Sequence, residues 1–303
     1  MIRCKLGLLL LATCLTFVGQ AHARYYDDVI SSGYLSVGLY RNFPPYSYEK
    51  DGQAAGIDAE IGRRIAKGLG VEFRPHWIIP DENLEDDLRN NVWKGHYLDK
   101  DEAKPLAMKK LADVMMRVPY DREYSYRQES TGEMVHEQVV MFGPYQRESW
   151  RIVYDSRKID EVSTVAVFQY HPIGVEIDSL PAFYMTSAFG GRMRDKARHF
   201  MNVAEAFDNM QQGKVDAVMG MRAEIDWLVF KAKDSNLRIG ENGFPMIGKQ
   251  KWDLGMAIKS TYRQLGYAIE EQVDTLIRSG EMEKLYQTYG LTYELPGLYQ
   301  DVK

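Results

Sequence analysis

The side chains able to do chemistry are thinly spread along this chain. Six histidines, His22, His76, His96, His136, His171 and His199, are scattered without the spacing that holds a metal, and no serine lies in a nucleophile-elbow context. No metal and no cofactor is therefore expected. Two rings stand out: Phe43 and Tyr46 flank Pro44-Pro45, whose fixed φ would hold both aromatics in place for stacking on a ligand. The same rings would equally suit packing beneath the turn. Pro80-Asp81-Glu82 places carboxylates where a helix starts, which suits the helix dipole better than a metal. Gly190-Gly191 before a basic segment, Arg192 to Met201, reads as a loop-to-helix junction, with anion binding at the helix start as the alternative.

Alternating strands and helices must position these groups. Tyr34 to Leu39 reads as a buried strand, and Ile57, Ile61 and Ile65 recur at helical spacing before Gly68 and Gly70. A second helix opens at Pro80-Asp81-Glu82 and turns Leu84, Leu88 and Val92 inward. Leu111 to Met116 and Val215 to Met219 echo each other, each an Asp beside a short apolar run, as if one strand belonged to each of two lobes. Trp252 to Leu291 runs strand and then two helices. Asp99 to Lys110 reads as a charged surface insertion, either a tolerated loop or a docking surface.

The N-terminus sets the compartment. Arg3 and Lys5, the apolar run Leu6 to Val18 and Ala21-His22-Ala23 have the order of a cleavable export signal, so residues 1–23 are expected to be removed and the protein to be periplasmic. Lipidation at Cys14 is the lesser alternative. Cys4 and Cys14, the only cysteines, both lie in that segment, which leaves the mature chain without a thiol or disulfide. About 280 residues remain, enough for two lobes. They carry 36 basic and 43 acidic residues, a net −7 with no long basic run, which argues against nucleic acid and anionic membranes as partners.

Several blocks in order, Asn42-Phe43-Pro44-Pro45-Tyr46, Gly56 to Gly70, Gly213-Lys214-Val215-Asp216-Ala217, Gly255 to Lys259 and Gly280 to Tyr286, resemble the solute-binding proteins of family 3. These are periplasmic receptors typical of polar amino-acid ABC transporters. The resemblance implies an α/β, type II periplasmic-binding-protein fold with two lobes, a hinge and an interlobe cleft. Lobe 1 would be discontinuous, residues 24–143 and 245–303, and lobe 2 would comprise residues 144–244.

Against that family the ligand positions depart. The family's aromatic that stacks on the ligand falls on Phe43, with Tyr46 beside it. The arginine that takes the ligand carboxylate, about twelve residues after the strand Asp, falls on Ser125; Arg117 and Arg122 are nearby substitutes, and Tyr120 enlarges the same wall. Val165 to Gln169 reads as the strand before the family's Gly-Thr-Thr turn, so that turn becomes Tyr170-His171-Pro172, with Gln169, Tyr170 and His171 as candidate contacts. The family Asp for the ligand ammonium falls on Met221. These changes argue against a standard α-amino acid and suggest a cleft that is more aromatic and more cationic.

Three functional classes follow. The first is capture of a small organic ligand for an inner-membrane ABC permease. The second, also drawn from the resemblance, is a non-transport accessory protein that binds a periplasmic quinoprotein alcohol dehydrogenase. The third is a lyase using His171 as acid or base, and it has the least support. Spacing leaves the ligand and the oligomeric state open.

Overall fold

The computed structural model describes residues 24–96 and 110–300. The expected export segment at residues 1–23, nearly all of the expected surface insertion at 99–110, and residues 301–303 lie outside them. The chain opens with helix α1 (Tyr26–Ser32), strand β1 (Tyr34–Tyr40), the hairpin β2 (Tyr48–Lys50) and β3 (Gln53–Ala55), helix α2 (Ile57–Gly68) and strand β4 (Glu72–Ile78). β1 and β4 pair in parallel across α2, whose Ile57, Ile61 and Ile65 are fully buried. Gly56 fixes the entry to α2: its φ is +105°, and an added Cβ would strike the Tyr46 carbonyl.

The next helix starts later than the acidic run at Pro80 suggests. α3 spans Leu84–Leu88 because the Asn83 side chain accepts from the Asp86 amide at 2.9 Å, and a π-helical turn at Arg89–Trp93 follows. Leu88 and Val92 do face the core. Strand β5 (Val114–Pro119) and the short helix α4 (Arg122–Ser125) lead into the longest strand, β6 (Val139–Asp155).

β6 carries the chain from one core to another. Its residues through Ser149 pair with a returning strand near the C-terminus, and Trp150 to Tyr154 pair with a strand of the second core. Beyond it come β7 (Ile173–Glu176), α5 (Leu180–Gly191), β8 (Ala197–Phe200), α6 (Val203–Gln211), β9 (Ala217–Met221), α7 (Arg222–Ala232) and β10 (Leu237–Ile239). Return is by β11 (Lys251–Lys259), followed by α8 (Arg263–Arg278), α9 (Glu281–Thr288) and α10 (Gly297–Gln300). The resulting sheet runs β4-β1-β5-β11-β6-β9-β7-β8, with β10 on the far part of β6. Tyr145 packs in the first core; Ile152, Phe244 and Ile247 pack in the second. Helix α7 bridges the two, since Ala223 lies in the first core and Ile225 in a cluster of the second.

Two expected elements of the second lobe take a different form. Val165–Gln169 is a 3₁₀ turn, not a strand: Thr164 caps it, and the buried residues Val165 and Phe168 recur every third position. The strand is β7, four residues downstream of that turn. No helix fills Arg192 to Met201 either. α5 breaks at Ala188 to Gly190, Phe189 and Gly190 having left-handed φ, and only a 3₁₀ turn at Arg194–Lys196 precedes β8, which pairs in parallel with β7.

Candidate functional site

Where the two cores meet, the chain buries an unusual number of polar groups. Tyr46 is fully buried, and its hydroxyl donates to Glu148 at 2.8 Å. Glu148 also accepts from the Gln146 amide at 2.7 Å and from the Ser149 backbone at 2.9 Å. Because residues two apart on a strand share a face, β6 presents Gln146 and Glu148 side by side. Tyr286 of α9 donates to Gln146 at 2.9 Å, and Tyr145 donates to Asp58 at 3.0 Å. Asp58 is the second residue of α2, where the helix dipole favours a carboxylate.

Arg117 projects into this cluster. Its guanidinium carbon lies 3.3 Å from the Tyr46 ring centroid and 5.4 Å from that of Phe43. Polar contacts are looser: 3.5 Å to Gln146 Oε1 and 3.9 Å to Asp58 Oδ2. Asp58 Oδ2 is buried and accepts no hydrogen bond. From the second core, Arg222 lies 3.6 Å from Glu148, reaches Glu294 at 2.7 Å and donates to the Arg147 carbonyl. Glu224, in the first turn of α7, is buried, and the half-buried Glu176 at the end of β7 is near enough to act on its charge.

Electrostatics here favour added positive charge. Burial and the neighbouring Glu176 and Glu148 push the Glu224 carboxyl up to about 8, although Arg117 opposes them. Burial likewise raises Asp58 to about 6, against the opposing pull of Arg117 and the Tyr145 hydrogen bond. Burial raises Glu176 too. The carboxyls of Asp58, Glu148, Glu176 and Glu224 outnumber the guanidiniums of Arg117 and Arg222. The cluster thus holds aromatic rings beside more carboxyl groups than guanidiniums, where a more cationic wall was expected.

The candidate residues named from sequence separate into three places. Phe43, Tyr46 and Arg117 come together in the interlobe cluster. Met221, at the end of β9, is the residue before α7 and packs against the first core; the carboxylate nearest that position is Glu224. Tyr120, Arg122 and Ser125 instead line a cavity of about 680 Å³ on the flank of the first lobe, with His136, Ser260 and Arg263. Ser125 there donates to the Met141 sulfur. Gln169, Tyr170 and His171 precede β7, so they lie at the end of that strand opposite Glu176. His171 Nδ1 is 2.9 Å from Asp216, which precedes β9, and Tyr170 is 75% exposed. The turn that follows the strand is Ile177-Asp178-Ser179, where Ser179 caps α5 by accepting from the Ala182 amide at 3.2 Å.

Sequence reasoning passed over Asp58, Tyr145, Gln146, Glu148, Glu176, Arg222, Glu224 and Tyr286. One signal was present: Gln146 and Glu148 lie two residues apart in a segment long enough to be a strand, which puts both polar groups on one face. Among the described residues no group of His, Cys, Asp and Glu is arranged to hold a metal, and no helix is long and apolar enough to cross a membrane.

Comparison with known proteins bears on this architecture. Residues 35–93 match the family model of bacterial extracellular solute-binding proteins, family 3. The described residues have the type II periplasmic-binding-protein fold. The chain is similar to an ancestral cationic amino acid solute-binding protein, AncCDT-1, at 19% identity and a TM-score of 0.63 over 88% of this chain and 99% of that one. A Streptococcus pneumoniae amino acid ABC transporter substrate-binding protein bound to L-arginine is similar at 16% identity and TM-score 0.56, covering 89% and 99%. A mutant of ArgBP from T. maritima is similar at 22% identity and TM-score 0.52, covering 87% and 98%. At these identities the structural likeness carries the fold alone. No curated protein matches the chain in sequence.

Proposed function

We propose that this chain is a periplasmic receptor that closes its two lobes on a small, positively charged organic solute and presents it to an inner-membrane ABC permease. The observation that carries this reading is the excess of buried carboxyls at the junction. Asp58, Glu148 and Glu224 are buried there and the half-buried Glu176 is beside them, drawn from both lobes, against aromatic walls at Phe43, Tyr46, Tyr145 and Tyr286. A buried carboxyl without a counter-charge is costly, so a cation enclosed there is held by both lobes at once. The export-type segment at residues 1–23 and the family 3 match at residues 35–93 support the compartment and the permease partner.

β6 and the 244–251 segment serve as the hinge, and the lobes divide later than the expected bounds at 143/144 and 244/245, since Tyr145 packs in the first core and Ile247 in the second. The accessory alternative, a quinoprotein dehydrogenase in place of a permease, draws on the 99–110 insertion, and nothing in the described residues favours it. His171 as a catalytic acid or base has no support either, since it pairs with Asp216 away from the cluster.

Thermal melting with arginine, lysine, agmatine and choline, against succinate and benzoate as anionic controls, tests the reading. A saturable rise in Tm with one of the cations is expected, because a ligand at a hundred times its Kd stabilises the folded state by about 2.7 kcal/mol. A rise confined to the anions would overturn it.

A further inference from the structure

Arg117 occupies its position by means of a local defect in the sheet. Between β5 and β11 the register shifts so that Val118 pairs with Gly255 and Met116 with Met256, which leaves Arg117 as the extra, unpaired residue. Its φ is +62°, a left-handed conformation uncommon outside glycine. Regular alternation would send residue 117 to the same face as Met115, toward the small core with Ile78 and Leu88. The bulge turns it into the interlobe cluster instead, where Arg117 is 7% exposed.

The groups around that guanidinium have the makings of a ligand site. Tyr46 and Phe43 offer ring faces; Gln146 Oε1 already accepts from Tyr286 and Glu148 from Tyr46, Gln146 and Ser149, so the acceptor left open beside the tethered guanidinium is Asp58 Oδ2. Gln146 is at the limit of a hydrogen bond, Asp58 is beyond it, and Asp58 Oδ2 accepts nothing. Elsewhere in the molecule a buried arginine saturates its acid: Arg24 donates to Asp113 at 2.6 and 3.1 Å.

From this geometry we infer that Arg117 is a built-in ligand, a tethered guanidinium that fills a guanidinium-binding box and that a free solute must displace. The inference rests on the receptor reading above and specifies the chemical class its site accepts. A tethered group competes at the high effective concentration of an intramolecular partner, and the apparent affinity for any solute falls with the fraction of molecules in which the box is open. Removing the side chain converts the box into a site for a free guanidinium, and glycine at this position also suits the left-handed backbone.

The test is Arg117→Gly, melted and titrated calorimetrically with guanidinium chloride and L-arginine at low millimolar concentrations, with sodium chloride and lysine as controls. Expected is a variant with a lower Tm than the unaltered protein, restored saturably by guanidinium or arginine and not by sodium, with an affinity at least about tenfold tighter than in the unaltered protein. No gain over sodium chloride would overturn the inference. If Arg117→Gly does not fold, the unaltered protein still decides. Its Arg117 Nε–H should exchange slowly with solvent by nitrogen-resolved NMR, and fast exchange would overturn the inference. The two readings fail separately. Unaltered protein that takes a cation as tightly as Arg117→Gly refutes the built-in ligand and leaves the receptor. Binding by Arg117→Gly alone, with no solute ever taken by the unaltered protein, refutes the receptor and leaves the built-in ligand.

Discussion

Two buried arginine–aspartate pairs sit at opposite ends of β5, and they are built to different standards. At its start, Asp113 is wholly buried and receives Arg24 through two nitrogens as well as the Ser36 amide at 2.7 Å. Near its end, Arg117 lies 3.9 Å from Asp58, one of whose oxygens has no donor at all. A pair that exists to hold the first lobe together is saturated, since each unmet buried charge costs stability. A pair left open at the lobe junction is what a site for a further charged group requires, and its shortfall is offset by the packing around it.

The largest expected effect sharpens this contrast through stability. Asp113→Ala strands Arg24 in the core and should cost about 3–5 kcal/mol in urea denaturation. Arg117→Gly should cost about 1–3 kcal/mol, because Gln146 and Glu148 keep their other donors and the left-handed backbone is relieved. Equal losses at the two positions would break the distinction.

Acid–base linkage gives the next effect. The Glu224 carboxyl is raised from 4.5 to about 8 in the folded protein, so the folded state binds its proton more tightly than the unfolded state does. Stability from this group is therefore present below pH 4.5 and is lost as pH rises to about 8. Glu224→Gln should flatten that slope and exceed the unaltered protein by roughly 2–4 kcal/mol at pH 9, while matching it near pH 4. An unchanged slope between pH 5 and 8 in denaturation curves would show that Glu224 is not held against its own charge.

The smallest effect concerns the third pair, His171 with Asp216, whose side chains are 31% and 15% exposed. His171→Ala should change stability by less than about 1 kcal/mol and leave solute binding intact. Loss of binding would return Gln169, Tyr170 and His171 to the site.

Much of the fold was legible because burial imposes periodicity. Ile57, Ile61 and Ile65 marked a helix, and the Asp113 and Asp216 segments marked one strand in each core. Errors arose where a local hydrogen bond or a short period decided the structure. Asn83 captured the start of α3, and Val165 with Phe168 satisfied a three-residue turn as well as a strand. That second error placed the turn at Tyr170-His171-Pro172, which precedes β7, when the turn that follows the strand is Ile177-Asp178-Ser179. The location of Arg117 was harder to foresee. A bulge depends on pairing between β5 and β11, which are far apart in sequence, so spacing from Asp113 could nominate Arg117 and Arg122 alike without telling which one turns toward Tyr46.

Recognition at the lobe junction, and not in the cavity beside Tyr120 and Arg122, is the central claim. It is tested most directly by the arginine-induced Tm shift of Arg117→Gly measured alone, with Glu148→Gln added, and with Arg122→Ala added. Glu148→Gln is expected to abolish the shift and Arg122→Ala to preserve it. A shift that survives Glu148→Gln and disappears with Arg122→Ala would contradict this claim.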